Sequence, residues 1–298
     1  LTEQRLLSRP EAEKLKKKLA AELRLSKLPS DLELAMLGRG RVLKKPVKTA
    51  SGVSVITVVA PIFSCPHGKC VYCPGGRAYG TPQSYTGEEV VVKNAASLGY
   101  DPYLQVMSAV KRLRDMGHAV DKVELIIIGG TFTATSTMFQ RRFIQRCLDA
   151  LNGVPSGSLE EALKLAENSR THVSGITIET KPDWVKRNLA SSLVEMGVTR
   201  VEVGVQALDD HILRLVNRGH SLADVVEATS DLRDLSFKIC YHVMPNLPGS
   251  SPAKDLQMLL NLFEDDRFRP DHLKIYPTLV LPNTELEKMW RRGEYTPY

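Results

Sequence analysis

The 298 residues carry 40 Lys and Arg against 34 Asp and Glu, a net charge of +6, with 43% hydrophobic and 25% charged residues. That balance belongs to a water-soluble chain of one large or two ordinary domains, and no apolar run reaches the roughly 20 residues of a membrane span, which excludes a transmembrane role. Of the five cysteines, three lie within nine residues, and Leu1-Thr2-Glu3-Gln4-Arg5 is no hydrophobic secretion segment; both point to a reducing cytoplasm and away from a disulfide framework.

The excess positive charge is concentrated at the amino end, where a first residue of leucine implies that the natural beginning lies upstream. Residues 1–48 hold 13 Lys and Arg against 6 Asp and Glu, a balance of +7, and the remainder stands at −1. Ser8-Arg9-Pro10-Glu11 is a capping box, and Leu15, Leu19 and Leu23 then recur every four residues among Lys14, Lys16, Lys17 and Lys18, which predicts an amphipathic basic helix. Pro29-Ser30-Asp31 opens a second short helix ending near Gly38, and Arg39, Arg41, Lys44, Lys45 and Lys48 follow in a loop. A near-neutral body behind a basic leader fits a polyanionic partner, because each lysine or arginine set against a phosphate releases a counterion. A solvated helix face accounts for the same residues.

Residues 53–59 are apolar and β-branched, the pattern of a buried strand. They lead into Cys65-Pro66-His67-Gly68-Lys69-Cys70-Val71-Tyr72-Cys73-Pro74-Gly75-Gly76. Thiolates this close repel one another unless a metal absorbs their charge, and a loop of small residues lets them converge. Structural zinc takes four protein ligands, yet no second Cys-x2-Cys follows, and His67, two residues from Cys65, would be a cramped fourth. Three cysteines can instead hold three irons of a four-iron cluster and leave the fourth iron open to a small molecule.

Strands and helices alternate from there. Asp101-Pro102 starts a helix with Leu104, Met107, Val110 and Leu113 on one face, stopped at Gly117, and residues 123–128 form a strand ending in Gly129-Gly130-Thr131. Ser136 caps a helix whose apolar stripe is Phe139, Phe143, Cys147 and Leu151. A short helix over 158–167, a strand over 174–180 and a helix capped by Asp183, with Val185, Leu189, Leu193 and Met196 inward, come next. Strands over 200–206, 237–244 and 272–276 are separated by helices over 209–216 and 221–235 and by one carrying Leu256, Leu259, Leu260 and Phe263. Repeated right-handed βα units make a parallel sheet. The fold expected is therefore α/β, a partial (β/α)6 TIM-like barrel with a basic helical N-terminal extension.

Ligands in such a fold sit at the carboxyl ends of the strands. The cysteine loop, Gly129-Gly130, Glu179, Gln206 and His242 all fall at such ends and are expected to surround one cavity. Period-two alternation groups Thr177 with Glu179, Glu202 with Gly204 and Gln206, Cys240 with His242 and Met244, and Lys274 with Tyr276. The polar members of these groups are expected in the lumen.

With the motifs assembled, the chain resembles the radical S-adenosylmethionine enzymes. The resemblance rests on the three-cysteine loop with Tyr72 before its last cysteine, on Gly129-Gly130 and on Gly204-Val205-Gln206. It implies a barrel of the radical SAM type, a 4Fe-4S cluster held by Cys65, Cys70 and Cys73, and S-adenosyl-L-methionine contacted by Tyr72, Gly130, Thr131, Glu179, Gln206, Arg218 and His242. The superfamily more usually places three residues between the first two cysteines, and here there are four. Gln83-Ser84-Tyr85-Thr86-Gly87, residues 118–124, Gly129-Gly130-Thr131-Phe132, Arg218-Gly219-His220 and Met244-Pro245-Asn246-Leu247-Pro248 narrow the match. Together they are similar to the catalytic subunit of Elongator and its archaeal and bacterial homologues, tRNA uridine 5-carboxymethyltransferases that act on the wobble uridine with acetyl-CoA as donor.

That narrower resemblance implies a radical SAM core over 49–298 and a tRNA-binding extension over 1–48, with Lys16, Lys17, Lys18, Arg39, Arg41, Lys44 and Lys45 facing phosphates of an anticodon stem-loop. It matches Lys122 to an acetyl-CoA-contacting lysine, and Lys274 and Tyr276 are taken as substrate-side groups of the lumen. A cytoplasmic setting and a larger assembly are further expectations. The family's C-terminal acetyltransferase-like domain has no counterpart before Tyr298, so the chain alone is expected to cleave S-adenosylmethionine but transfer little. A second radical reaction, methylthiolation, needs another cluster, for which Cys147 and Cys240 are too few. The reading from a different class is a zinc-stabilised RNA-binding module without catalysis.

Overall fold

The computed structural model describes residues 5–298, apart from the side chains of Leu32 and Arg41, so the reading of the first four residues lies outside it. The chain opens with β1 (Leu6–Leu7), α1 (Arg9–Glu22), α2 (Asp31–Met36) and β2 (Arg41–Val42). Ser8 with Glu11 and Ser30 with Glu33 form reciprocal capping boxes that satisfy the first amides of the two helices. β1 and β2 pair in parallel, so Arg41 stands in a short strand and not in the expected loop. Leu7, Ala12, Leu19, Leu34 and Val42 close around a small core of their own.

Six strands then form one parallel sheet in strict chain order: β3 (Ser54–Val59), β4 (Lys122–Ile128), β5 (His172–Thr180), β6 (Arg200–Gln206), β7 (Lys238–Val243) and β8 (His272–Ile275). α3 (Val90–Ser97) and α4 (Pro102–Asp115) follow β3, α5 (Thr137–Asn152) and α6 (Leu159–Glu167) follow β4, and α7 (Arg187–Glu195) follows β5. α8 (Asp210–Leu215), α9 (Leu222–Asp234), α10 (Pro252–Glu264) and α11 (Glu285–Arg291) complete the order. Right-handed crossovers between consecutive neighbours place the helices on one face and leave the other inside the curl. β3 and β8 are the edges and do not pair with each other, so the sheet is an open arc, the partial barrel expected.

Leu125 and Ile127 of β4 and Ile176 and Ile178 of β5 join Val106, Leu113, Ile144 and Leu148 of the helices in one core. Burying each such side chain contributes about 1.5–3 kcal/mol. Beyond β8 the chain returns to the cysteine loop: the Leu286 amide donates to the Val71 carbonyl at 2.8 Å, and the Tyr79 hydroxyl to the Asn283 carbonyl at 3.3 Å. Among the described residues no helix is long and apolar enough to cross a membrane.

Several helix faces differ from the expected ones. α4 buries Val106 and Ala109 beside Val110 and Leu113, while Leu104 and Met107 are exposed. α10 buries Met258 and Leu262 and leaves Leu256, Leu260 and Phe263 exposed. α7 starts only at Arg187; Pro182–Trp184 is a single 3-10 turn, and Asp183 pairs with Lys181 instead of capping the helix.

Candidate active site

The loop after β3 turns Cys65, Cys70 and Cys73 into the protein. Gln83 clamps it: Oε1 accepts from the Cys65 amide at 3.0 Å and Nε2 donates to the Gly68 carbonyl at 2.7 Å. At Gly75 a Cβ would stand 2.4 Å from the Pro82 and Tyr85 carbonyls, so only glycine fits. Each sulfur has a polar neighbour. Thr131 Oγ1 is 3.5 Å from Cys65 Sγ, and the Ser84 amide donates to Cys73 Sγ at 3.0 Å. His67 Nε2 is 3.2 Å and Arg218 Nη1 3.8 Å from Cys70 Sγ. Burial first, and the Cys70 sulfur next, push the Cys73 thiol up. Three thiolates therefore need a cationic centre to coexist here.

Three cysteines leave a structural zinc one protein ligand short. At about 2.3 Å from each ligand, a tetrahedral zinc holds its sulfurs about 3.8 Å apart. Among the described residues, only Glu202, Cys240 and His242 bring three ligand atoms of this kind within 4.8 Å of one another. Cys65, Cys70 and Cys73 are three ligands on one loop, the number that holds three irons of a four-iron cluster and leaves the fourth open. The Glu202 trio is already served, because Lys274 Nζ lies 2.5 Å and His242 Nε2 2.9 Å from Glu202 Oε2.

A cavity of about 420 Å³ opens on the cysteine loop at the carboxyl ends of the strands, a volume typical of small-molecule sites. Tyr72, Gly130, Thr131, Glu179, Gln206 and Arg218 line it, and so do His242 and Tyr276, whose rings meet edge-on at 5.3 Å. The pairing of β6 with β7 shifts register between Gly204 and Gln206, and Gln206 is held at φ 71°. A non-glycine residue there stores about 1–3 kcal/mol of strain, which is characteristic of ligand sites. Gln206 Oε1 is buried without a hydrogen-bond partner, and the Tyr72 hydroxyl is buried beside the Cys70 sulfur. Unpaired atoms facing a cavity are ready for a ligand.

The surrounding backbone is shaped for close approach. A Cβ on Gly204 would lie 2.4 Å from Arg218 Nη2, which donates to the Gly204 carbonyl at 2.6 Å. Gly130, at φ 98°, leaves the space beside Cys65 Sγ open. Glu179 accepts from the Tyr85 hydroxyl at 3.1 Å; burial raises its pKa, and the nearby Glu202 adds to the effect. Donors aimed at three sulfurs, an orphaned polar atom and a glycine-lined wall fit a sulfur-ligated cluster with a small molecule beside it.

Other expected residues lie elsewhere. Lys274 stands behind Glu202 and does not line the cavity. Lys122 is exposed at the amino end of β4, away from the strand ends that carry the site. In the extension, Lys16 is only 11% exposed between Glu13 at 2.8 Å and Asp31 at 2.6 Å, and Lys44 is 3.5 Å from the same Asp31. Lys16 is thus held by two acidic partners, and Lys44 shares one of them. Lys17, Lys18, Arg39 and Lys45 are exposed, Lys18 with only a loose contact to Glu22 at 3.7 Å, and the Arg41 side chain lies outside the described residues. The clamp role of Gln83 and the buried Lys181 were not expected; Lys181, directly after Glu179-Thr180 at a strand end, carried the one signal that pointed to it.

The chain matches the Radical SAM superfamily over residues 59–262 and the Radical_SAM C-terminal domain over residues 270–298. It is 46% identical over 258 residues to the tRNA uridine(34) acetyltransferase of Methanocaldococcus jannaschii, covering 86% of this chain and 48% of that protein. To the Elongator complex protein 3 of Homo sapiens it is 42% identical over 263 residues, covering 85% and 48%. The solved archaeal Elp3 of Methanocaldococcus infernus, with its N-terminus deleted, superposes with a TM-score of 0.70 at 39% identity, covering 83% of this chain and 50% of that one. The chain thus spans about half the length of the curated relatives it matches. By fold, by cysteine loop and by sequence, it belongs to the radical SAM superfamily, as a relative of Elongator complex protein 3.

Proposed function

We propose that the chain is the radical SAM portion of a tRNA-modifying enzyme, a carboxymethyluridine synthase that places a carboxymethyl group on C5 of the wobble uridine with acetyl-CoA as donor. The observation that carries the reading is the cavity in which the cysteine loop meets the orphaned Gln206 Oε1 and the buried Tyr72 hydroxyl. The relatives named for tRNA uridine(34) support the choice of substrate.

Cys65, Cys70 and Cys73 would hold a 4Fe-4S cluster, and Tyr72, Gly130, Thr131, Gln206 and Arg218 would line S-adenosyl-L-methionine. When bound, the pair supplies a 5′-deoxyadenosyl radical that can take hydrogen from an unactivated C–H bond such as an acetyl methyl. The chain's own groups bind and orient. Gln206 Oε1 accepts a hydrogen bond, the Tyr72 hydroxyl donates one, and Glu179, held by Tyr85, faces the same space. Met244, Leu279 and Leu281 give the wall an apolar side that excludes water. His242 and Tyr276, beyond them, are the substrate-side groups, with Lys274 holding Glu202 in place.

Lys17, Lys18, Arg39 and Lys45 supply a basic surface for the phosphates of an anticodon stem-loop. A single-stranded anticodon base enters a cavity at lower cost than one drawn from a duplex. A cytoplasmic setting, with its reducing thiol pools, suits a loop of three free cysteines, and the Elongator relationship supports assembly with other subunits.

Anaerobic reconstitution, followed by assay of 5′-deoxyadenosine with and without tRNA, tests the reading. A brown protein with about four irons per chain that cleaves S-adenosylmethionine, faster with tRNA, is expected. Stoichiometric zinc without cleavage would reject it in favour of a non-catalytic RNA-binding module.

A further inference from the structure

His67, inside the cysteine loop, is confined from three sides. Gly219, at φ 74°, lies against it so closely that a Cβ there would stand 2.3 Å from His67 Cβ and 2.8 Å from its Cγ. On a second side is Lys181, 2% exposed at the end of β5, with Nζ 3.0 Å from His67 Nδ1 and 3.2 Å from Asp183 Oδ2. On the third, His67 Nε2 is 3.2 Å from Cys70 Sγ.

These contacts determine the tautomer. An ammonium group has only hydrogens to give, so Nδ1 must accept from Lys181. The single ring proton is then on Nε2 and points at the Cys70 sulfur. Asp183 holds the Lys181 ammonium in place, and the close approach of Gly219 leaves the ring no room to turn away.

We propose that Lys181 and His67 form a positioning relay that delivers an N–H···S hydrogen bond, backed by a buried positive charge, to Cys70 and thereby raises the reduction potential of the cluster. The inference rests on the reading of the three cysteines as cluster ligands. One-electron reduction adds negative charge to a cluster and its thiolates, so a donor at a ligand sulfur stabilises the reduced form more than the oxidised one. A lysine on the far nitrogen polarises the ring and strengthens the N–H as a donor. Arg218, at 3.8 Å from the same sulfur, is the longer and weaker contact.

The test is a mediator-equilibrated redox titration of the reconstituted chain, read by electron paramagnetic resonance without S-adenosylmethionine or tRNA. Lys181→Met and His67→Phe are each expected to bind iron as the parent does and to move the reduced-to-oxidised ratio at fixed potential about tenfold toward the oxidised form, a midpoint about 59 mV lower for a one-electron couple. The double variant is expected to shift no further than His67→Phe alone, because Lys181 acts through the ring, and Lys181→Arg is expected to restore the parent potential. Lys181→Met leaves the loop itself untouched, so an unmoved potential in that variant overturns the relay even if His67→Phe fails to hold iron. A parent chain that binds no cluster overturns the functional reading and the relay together; a parent cluster whose potential ignores both substitutions overturns the relay alone.

Discussion

Replacing Glu202 with glutamine removes the carboxylate that His242 and Lys274 share in the cavity wall. Glu202 is 2% exposed, His242 12% and Lys274 38%. Burial pushes the Glu202 carboxyl up, but hydrogen bonds from His242 and Lys274 more than offset this and hold it below its ordinary value. Breaking a buried ion pair costs about 3–5 kcal/mol. Lys274 is more than a third exposed, so solvent screens its attraction to about 0–1 kcal/mol. The His242 hydrogen bond to a charged acceptor contributes about 1.5–3 kcal/mol. Glu202→Gln is therefore expected to lower stability by about 1.5–4 kcal/mol at neutral pH, the sum of those two ranges. The sign of the pH dependence follows from the lowered pKa. The carboxylate's contribution is complete above the unfolded value of 4.5 and is lost as pH falls through the folded one, so the gap between parent and variant narrows in acid. Urea unfolding of both proteins across a pH series measures the gap. A difference below about 0.5 kcal/mol at pH 7, within the range of an ordinary surface substitution, would refute the reasoning, and so would a gap that widens in acid.

Gln206→Ala is expected to weaken S-adenosylmethionine binding at least tenfold while iron content stays unchanged; equilibrium dialysis against the reconstituted protein measures both, and parental affinity would remove Gln206 from the site. Gln83→Ala frees the Cys65 amide and the Gly68 carbonyl, and is expected to lower iron per chain and speed cluster loss to a chelator, followed by absorbance. Replacing Lys17, Lys18, Arg39 and Lys45 together by alanine should flatten the logarithmic salt dependence of tRNA binding by about 3, given 0.7–0.9 per phosphate contact. Lys16→Ala, whose ammonium is already committed to Asp31 and Glu13, should leave that slope unchanged; filter binding between low and moderate salt distinguishes the two.

Much of the architecture could be read from local pattern. Apolar β-branched runs marked the sheet strands, and the position of glycine pairs and polar residues at their carboxyl ends located the cavity wall. Period alone did not decide which of two adjacent stripes of α4 or α10 meets the sheet, because both stripes are apolar; leucine and phenylalanine were left in solvent on α10 for that reason. α3 begins with Val90-Val91-Val92, a run that favours extended chain, and is helical only because Val92 and Ala95 pack on Val59 and Ile128. The pairing of Lys16 and Lys44 with Asp31 is a tertiary contact that local charge pattern does not reveal. Partners such as His67 and Lys181, 114 positions apart, leave no trace in local composition. Nor does the backbone of Gln206, whose side chain reads as that of any strand residue.

The return of the segment that carries Asn283 and Leu286 to the cysteine loop has a consequence for biogenesis. Tyr79 and Asn283 are separated by 204 positions, and the Leu286 amide closes on Val71 only from the far end of the chain. At a synthesis rate of about 5–20 residues per second, the thiols leave the ribosome roughly 10–40 s before their brace does. Metallation attempted in that interval would meet a slack receptacle exposed to oxygen. Docking of the segment that carries Asn283 and Leu286 thus precedes a rigid receptacle for the cofactor.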